Sequence, residues 1–165
     1  MRVLGIDPGT LHMGYGLIDD VNSVISMVEC GVLTLPQTVP LEKRLHRFYV
    51  ELLGIIGSFH PEEVAVEEPF VALNIRSALA LGRSQAIAIL AATGNNLPLF
   101  RYSPTQVKQQ VTNYGRSSKE QVETMVKLQL GLSVLPQPSD AADALAIALC
   151  HLQQRRLNSL ISRVR

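Results

Sequence analysis

The apolar positions of this chain follow two rhythms. The first is short and dense. Val3, Leu4 and Ile6 make a brief apolar run that ends on Asp7, as a short buried strand bounded by turn residues would. Pro8-Gly9 then supplies turn geometry. Residues 13–19 read as a second strand and 23–35 as a third, broken near Gly31, giving an antiparallel meander. Val64-Ala65-Val66 repeats the opening theme: the run passes into Glu67-Glu68, and Pro69 prevents its continuation. Residues 97–102 make a fifth strand.

The second rhythm has steps of three and four. Leu41, Leu45, Phe48, Leu52, Ile55 or Ile56, and Phe59 line one face of a helix over 41–59, which Pro61 ends. Residues 71–93 are helical and apolar over much of the circumference, which predicts burial on more than one side, by the core or by a second subunit. Gly94-Asn95-Asn96 closes that helix. Ser103-Pro104-Thr105-Gln106 opens another with an N-cap, a proline at the first helical position and a capping box. Ser117-Ser118-Lys119-Glu120 does the same for a helix ending at Gly131, and Ser139 caps a last helix that begins Asp140-Ala141-Ala142-Asp143. The closing stretch, with Arg155, Arg156, Arg163 and Arg165, reads as a fraying basic tail.

Three strands, then helices alternating with strands, predict an α/β fold with a mixed five-stranded sheet flanked by helices. At 165 residues the chain suits a single domain, 1–165. Asp7 interrupts any signal-peptide core, and no apolar run reaches the ~18 residues of a membrane span. Cys30 and Cys150 are distant and read as free thiols in a reducing cytoplasm, and the four histidines show no zinc spacing. The net charge of +1 hides an asymmetry: residues 1–100 carry 6 basic and 10 acidic side chains, residues 101–165 carry 9 and 4. The second half, with Lys108, Arg116, Lys119 and Lys127, can present a positive face to a polyanion.

Each acid has an ordinary explanation by itself. Asp7 could bond its own turn, Glu67-Glu68 could be a solvated rim, and acids in a first helical turn suit the macrodipole. Together they sit where strand ends meet a helix start, the usual place for sites in such sheets. Converging carboxylates without His or Cys favour Mg²⁺ or Mn²⁺, and paired ions ~4 Å apart are a recurrent device for attack on a phosphodiester.

Gly5-Ile6-Asp7-Pro8-Gly9-Thr10 with Gly14-Tyr15-Gly16, then Ala65-Val66-Glu67 with Phe70, then Gln106-Val107-Lys108-Gln109, then Asp140 to Ala148 resemble, in order and spacing, the RuvC-type Holliday junction resolvases. The resemblance runs from end to end. It implies an RNase H-like fold and a homodimer that cuts four-way DNA junctions with two Mg²⁺ per site, Mn²⁺ substituting. The family's four acids fall on Asp7, Glu67, Asp140 and Asp143. Its junction-probing aromatic falls on Phe70, and its DNA-contacting lysines on Lys108 and Lys119. Arg76 and Arg116 are further candidate DNA contacts. The helix after Phe70 matches the family's dimer helix, and a branch-migration complex of RuvA and RuvB type is the expected partner. Position 140 is histidine in some relatives, and Pro69 could redirect the Phe70 loop. Three other readings compete. An actin- or sugar-kinase-like ATPase shares the opening strand and turn but needs a second domain. The others are an RNase H-like nuclease for RNA or another DNA structure, and a catalytically silent junction-binding module.

Overall fold

The computed structural model describes residues 1–68 and 75–164, the last two by backbone alone. Five strands form one sheet in the order β3-β2-β1-β4-β5. β1 (Arg2–Asp7), β2 (His12–Val21) and β3 (Val24–Thr34) make the antiparallel meander. β4 (Glu63–Glu67) lies parallel to β1, and β5 (Leu99–Tyr102) parallel to β4. The mixed sheet is the one expected of an RNase H-like fold. Two details of the meander differ from expectation. β3 is unbroken at Gly31, where a side chain would strike the Tyr15 ring, and the register shifts instead between Leu17 and Ile18.

Strand alternation sends successive side chains to opposite faces. Leu4, Ile6, Val64 and Val66 point toward α1 (Leu41–Phe59) and α2 (Ile75–Gly94), where Phe48, Leu52, Ile56, Ala88, Ala91 and Ala92 are buried with them. Arg44 unexpectedly starts the buried stripe of α1, while Leu41 and Leu45 are only half-buried. The α2 helix continues through Gly94, and the left-handed residue that follows it is Asn96.

Val3 and Ala65 point the other way, toward α3 (Pro104–Thr112), α4 (Lys119–Gln129) and α5 (Ser139–Val164). The capping box predicted at Ser103 forms with Gln106. The second box sits one residue later than the Ser117–Glu120 spacing predicts, on Ser118 and Gln121, because the buried Ser117 hydroxyl is taken by Thr112 and the Tyr114 carbonyl. Ser139 does not cap: it is the first residue of α5, and its hydroxyl donates to Glu123 on α4 at 2.6 Å.

The basic tail also departs from expectation. Its described part continues α5 to Val164, held by Arg155 on Glu63 and by Arg156 on Asp20 at 2.8 Å and on the Ser23 carbonyl at 3.2 Å. Beneath it lies a buried polar chain. Glu63 Oε2 lies 2.6 Å from His151 Nε2, and His151 Nδ1 lies 2.7 Å from the Tyr102 hydroxyl. These contacts tie α5 to the start of β4 and the end of β5.

Two glycines let α5 press directly on the sheet. A Cβ at Gly5 would come within 2.1 Å of the Ala144 carbonyl oxygen, and one at Gly14 within 2.1 Å of the Asp140 carbonyl oxygen. Only a residue without a side chain permits so close an approach. The small face Ala141, Ala144 and Ala148 completes the fit from the helix side, all fully buried. The first turn of α5 is thereby laid over the ends of β1 and β2.

Candidate active site

Asp7 is the last residue of β1 and shares its face with Val3 and Gly5, the face that α5 covers. Asp140 and Asp143 project from the first turns of α5, three residues apart and so on one side of it. One carboxylate oxygen from each of the three lies within 4.8 Å of the others. Glu67, at the end of β4, shares the face of Glu63 and Ala65, which also look toward α5. It falls outside the tight trio but lines the same cavity, of about 200 Å³, with Asp7, Asp143, Lys108 and Lys119. Pro104, Val107, Val122 and Ala146 supply apolar wall. Glu68 is exposed, so strand alternation separates the two adjacent glutamates as expected.

The electrostatics follow from that crowding. Burial, then the Asp143 and Asp140 charges, push the Asp7 carboxyl up to about 7. Burial, then Asp7 and Asp143, push Glu67 up to about 7 as well. Asp143 is raised by burial, against a 2.7 Å ion pair from Lys119 Nζ. An all-oxygen set of mutually repelling carboxylates fits a hard divalent cation of the Mg²⁺ or Mn²⁺ class. Among the described residues it is the one such group of His, Cys, Asp or Glu.

Comparison with known proteins narrows the readings left open by the acids. The profile described as "Crossover junction endodeoxyribonuclease RuvC" matches residues 3–151. The chain belongs to the RuvC family. The crossover junction endodeoxyribonuclease RuvC of Dehalococcoides mccartyi is 49% identical over 162 residues, 98% of this chain and 97% of that one. That of Chloroflexus aggregans is 46% identical over 151 residues, 92% of each chain. The structure of Thermus thermophilus RuvC in complex with Holliday junction substrate superposes with a TM-score of 0.90 at 36% identity, covering 96% of both chains. The fold is therefore RNase H-like, and RuvC membership sets aside the ATPase reading.

The structure brings all four predicted acids and both predicted lysines to one end of the sheet. Lys119 is held by Asp143, so its charge already serves the acid cluster. Arg76 and Arg116 are exposed on α2 and on the loop before α4. Phe70 and Pro69 lie outside the described residues. Sequence reasoning missed the two α2 residues that reach the site. Ser84 Oγ donates to the Gly9 carbonyl at 2.6 Å, and Gln85 Nε2 to the Glu67 carbonyl at 3.2 Å. A serine and glutamine among alanines carry no local signal of such contacts.

The raised carboxyls have a consequence for stability. Asp7 and Glu67 hold protons more tightly folded than unfolded. Their contribution is therefore fully present below about pH 4 and is lost as pH rises through about 7. In metal-free protein at pH 8, Asp7→Asn is expected to raise the melting temperature by roughly 2–8 °C, for ~1–2 kcal/mol of relieved charge burial and repulsion. The gap between variant and wild type should close as pH falls below about 5. Calorimetric melting from about pH 4 to pH 8 in chelator checks this, and a gap independent of pH would contradict it.

Proposed function

We propose that this chain, acting as one nuclease domain over residues 1–165 and as a homodimer, resolves four-way DNA junctions by paired, symmetric nicks. The carrying observation is the cluster of Asp7, Asp140 and Asp143, with Glu67 in the same cavity and two lysines in its wall, in a member of the RuvC family. The Thermus thermophilus relative in complex with a Holliday junction supports the substrate class.

Bound across the four acids, two Mg²⁺ ions, or Mn²⁺ in their place, would supply an activated water and neutralise the departing 3′-oxygen. Asp7, central to the cluster, is the residue suited to hold both. Glu67 and Asp143 flank it, and Asp140 completes the set from the first turn of α5. Lys119 is the counter-charge to Asp143, free to turn to a phosphate once that carboxylate is otherwise neutralised. Lys108, in the cavity wall, takes a backbone phosphate, and Arg76 and Arg116 extend the basic surface. Phe70, three residues after Glu67, is assigned to stack on an unpaired base at the crossover. The products carry 5′-phosphate and 3′-hydroxyl ends. A branch-migration complex of RuvA and RuvB type would deliver the junction, in the cytoplasm. Among the described residues no helix is long and apolar enough to cross a membrane.

The test is a comparison of labelled four-way junction, linear duplex and RNA–DNA hybrid, each with Mg²⁺ and with chelator. Cleavage of the junction alone, and only with Mg²⁺, is expected. Equal cutting of the hybrid would favour a different nuclease specificity, and binding without cutting would favour a silent junction-binding module.

A further inference from the structure

The acid cluster is supported from the side of the sheet opposite α5. Ser84 is fully buried, in a stretch of α2 where its buried neighbours are alanines. A hydroxyl there needs a partner, since an unpaired buried polar group costs free energy. Its partner is the carbonyl of Gly9, in the turn that leaves Asp7. The adjacent Gln85 sends its side-chain amide to the carbonyl of Glu67 itself. Two successive residues of one helix thus grip the chain just beyond β1 and at the end of β4, where two of the mutually repelling acids stand.

We propose that Ser84 and Gln85 are positioning residues that fix the spacing of Asp7 and Glu67 for divalent-cation binding. The inference rests on the reading that these acids hold the metal. Neither residue faces the substrate in this role; both act through backbone carbonyls. Burial and repulsion favour separation of the two carboxylates in the metal-free protein, and the two hydrogen bonds oppose it by anchoring their strand ends to a rigid helix. Support of this kind around a metal site changes its affinity, by about 10- to 100-fold when lost.

The experiment measures Mn²⁺ binding to the DNA-free protein by calorimetry, alongside the Mn²⁺ dependence of junction cleavage. Ser84→Ala and Gln85→Met, singly and together, are expected to weaken Mn²⁺ binding by about 10-fold or more in the double variant. Cleavage should recover at high Mn²⁺, and junction affinity in chelator should be unchanged. Ser84→Thr, which keeps the hydroxyl, should retain most of the affinity. Gln85 is only half-buried, so Gln85→Met carries the test if Ser84→Ala does not fold. Unchanged Mn²⁺ affinity with an unchanged cleavage profile would overturn the proposal, as would a loss confined to junction binding. If wild-type protein bound no Mn²⁺, the metal reading itself would fall, and this inference with it.

Discussion

Asp7→Asn is expected to abolish junction cleavage, by on the order of 10³-fold or more, while leaving junction binding intact or tighter. The two halves of this result have separate causes. Cleavage should fail because Asp7 has a carboxylate oxygen within 4.8 Å of those of Asp140 and Asp143 and lines one cavity with Glu67. An amide in its place keeps the shape but removes the charge that would hold a cation. Binding should survive because the removed charge would face phosphate in a site already crowded with carboxylates. Burial first, and the neighbouring carboxylates second, raise the Asp7 and Glu67 carboxyls. Gel-shift titration in Ca²⁺ and single-turnover cleavage in Mg²⁺ separate the two effects. Ca²⁺ should support binding without cutting, since its looser coordination positions a nucleophile poorly. Glu67→Gln should behave like Asp7→Asn, whereas exposed Glu68→Gln should retain most activity. Efficient cutting by Asp7→Asn, or the reverse ranking of the two glutamates, would refute the assignment.

The parts of this molecule that could be read beforehand are those with local causes. The capping box at Ser103 is complete within four residues and forms as its spacing predicts, and the one before α4 forms one residue later, on Ser118. Period-two alternation separated Glu67 from Glu68. The same alternation places Glu63 on the face of Glu67. Its partners, His151 and Arg155, lie 88 and 92 residues away, so no local pattern could name them. That distant pairing explains why a tail expected to fray is instead a helix. Ser139 illustrates the opposite failure. A serine before an acidic first turn is a sound capping signal, but Glu123 on α4 offered its hydroxyl a better partner. The convergence of the four acids was legible from their order along the chain and from the family resemblance, and the small residues at Gly5, Gly14, Ala141 and Ala144 are what let α5 bring them together. Ser84 and Gln85 were not legible, because a contact to a distant carbonyl leaves no trace in local sequence.

The second large effect concerns assembly. Leu79→Arg and Ala86→Arg are each expected to convert a dimer to monomers and to uncouple the two nicks. On α2 the side facing the sheet is satisfied by Ser84, Ala88, Ala91 and Ala92. Its outer side carries Ile75 at 74% exposure, Leu79 at 59% and Leu90 at 56%, with Ala86 exposed and open space where a Gly82 side chain would stand. Large aliphatics repeated along one helix face leave apolar area in water that a second copy could cover. Ala78 lies four residues before Gly82 but is half-buried, so Leu79 and Ala86 are the better probes. A two-fold pairing of α2 would set each arginine near its own copy, and like charges across a closed interface are strongly disfavoured. Because both positions are exposed, the melting temperature of the folded monomer should change little. A four-way junction presents two equivalent strands, so a dimer carries two acid sites to one substrate and a monomer only one. With a junction extruded on a supercoiled plasmid, wild-type protein should give linear product in one binding event and the arginine variants nicked circles. Sedimentation of the same samples reads the assembly state. Variants that remain dimeric would remove α2 as the interface, and monomers that still linearise the plasmid in one encounter would remove the need for pairing.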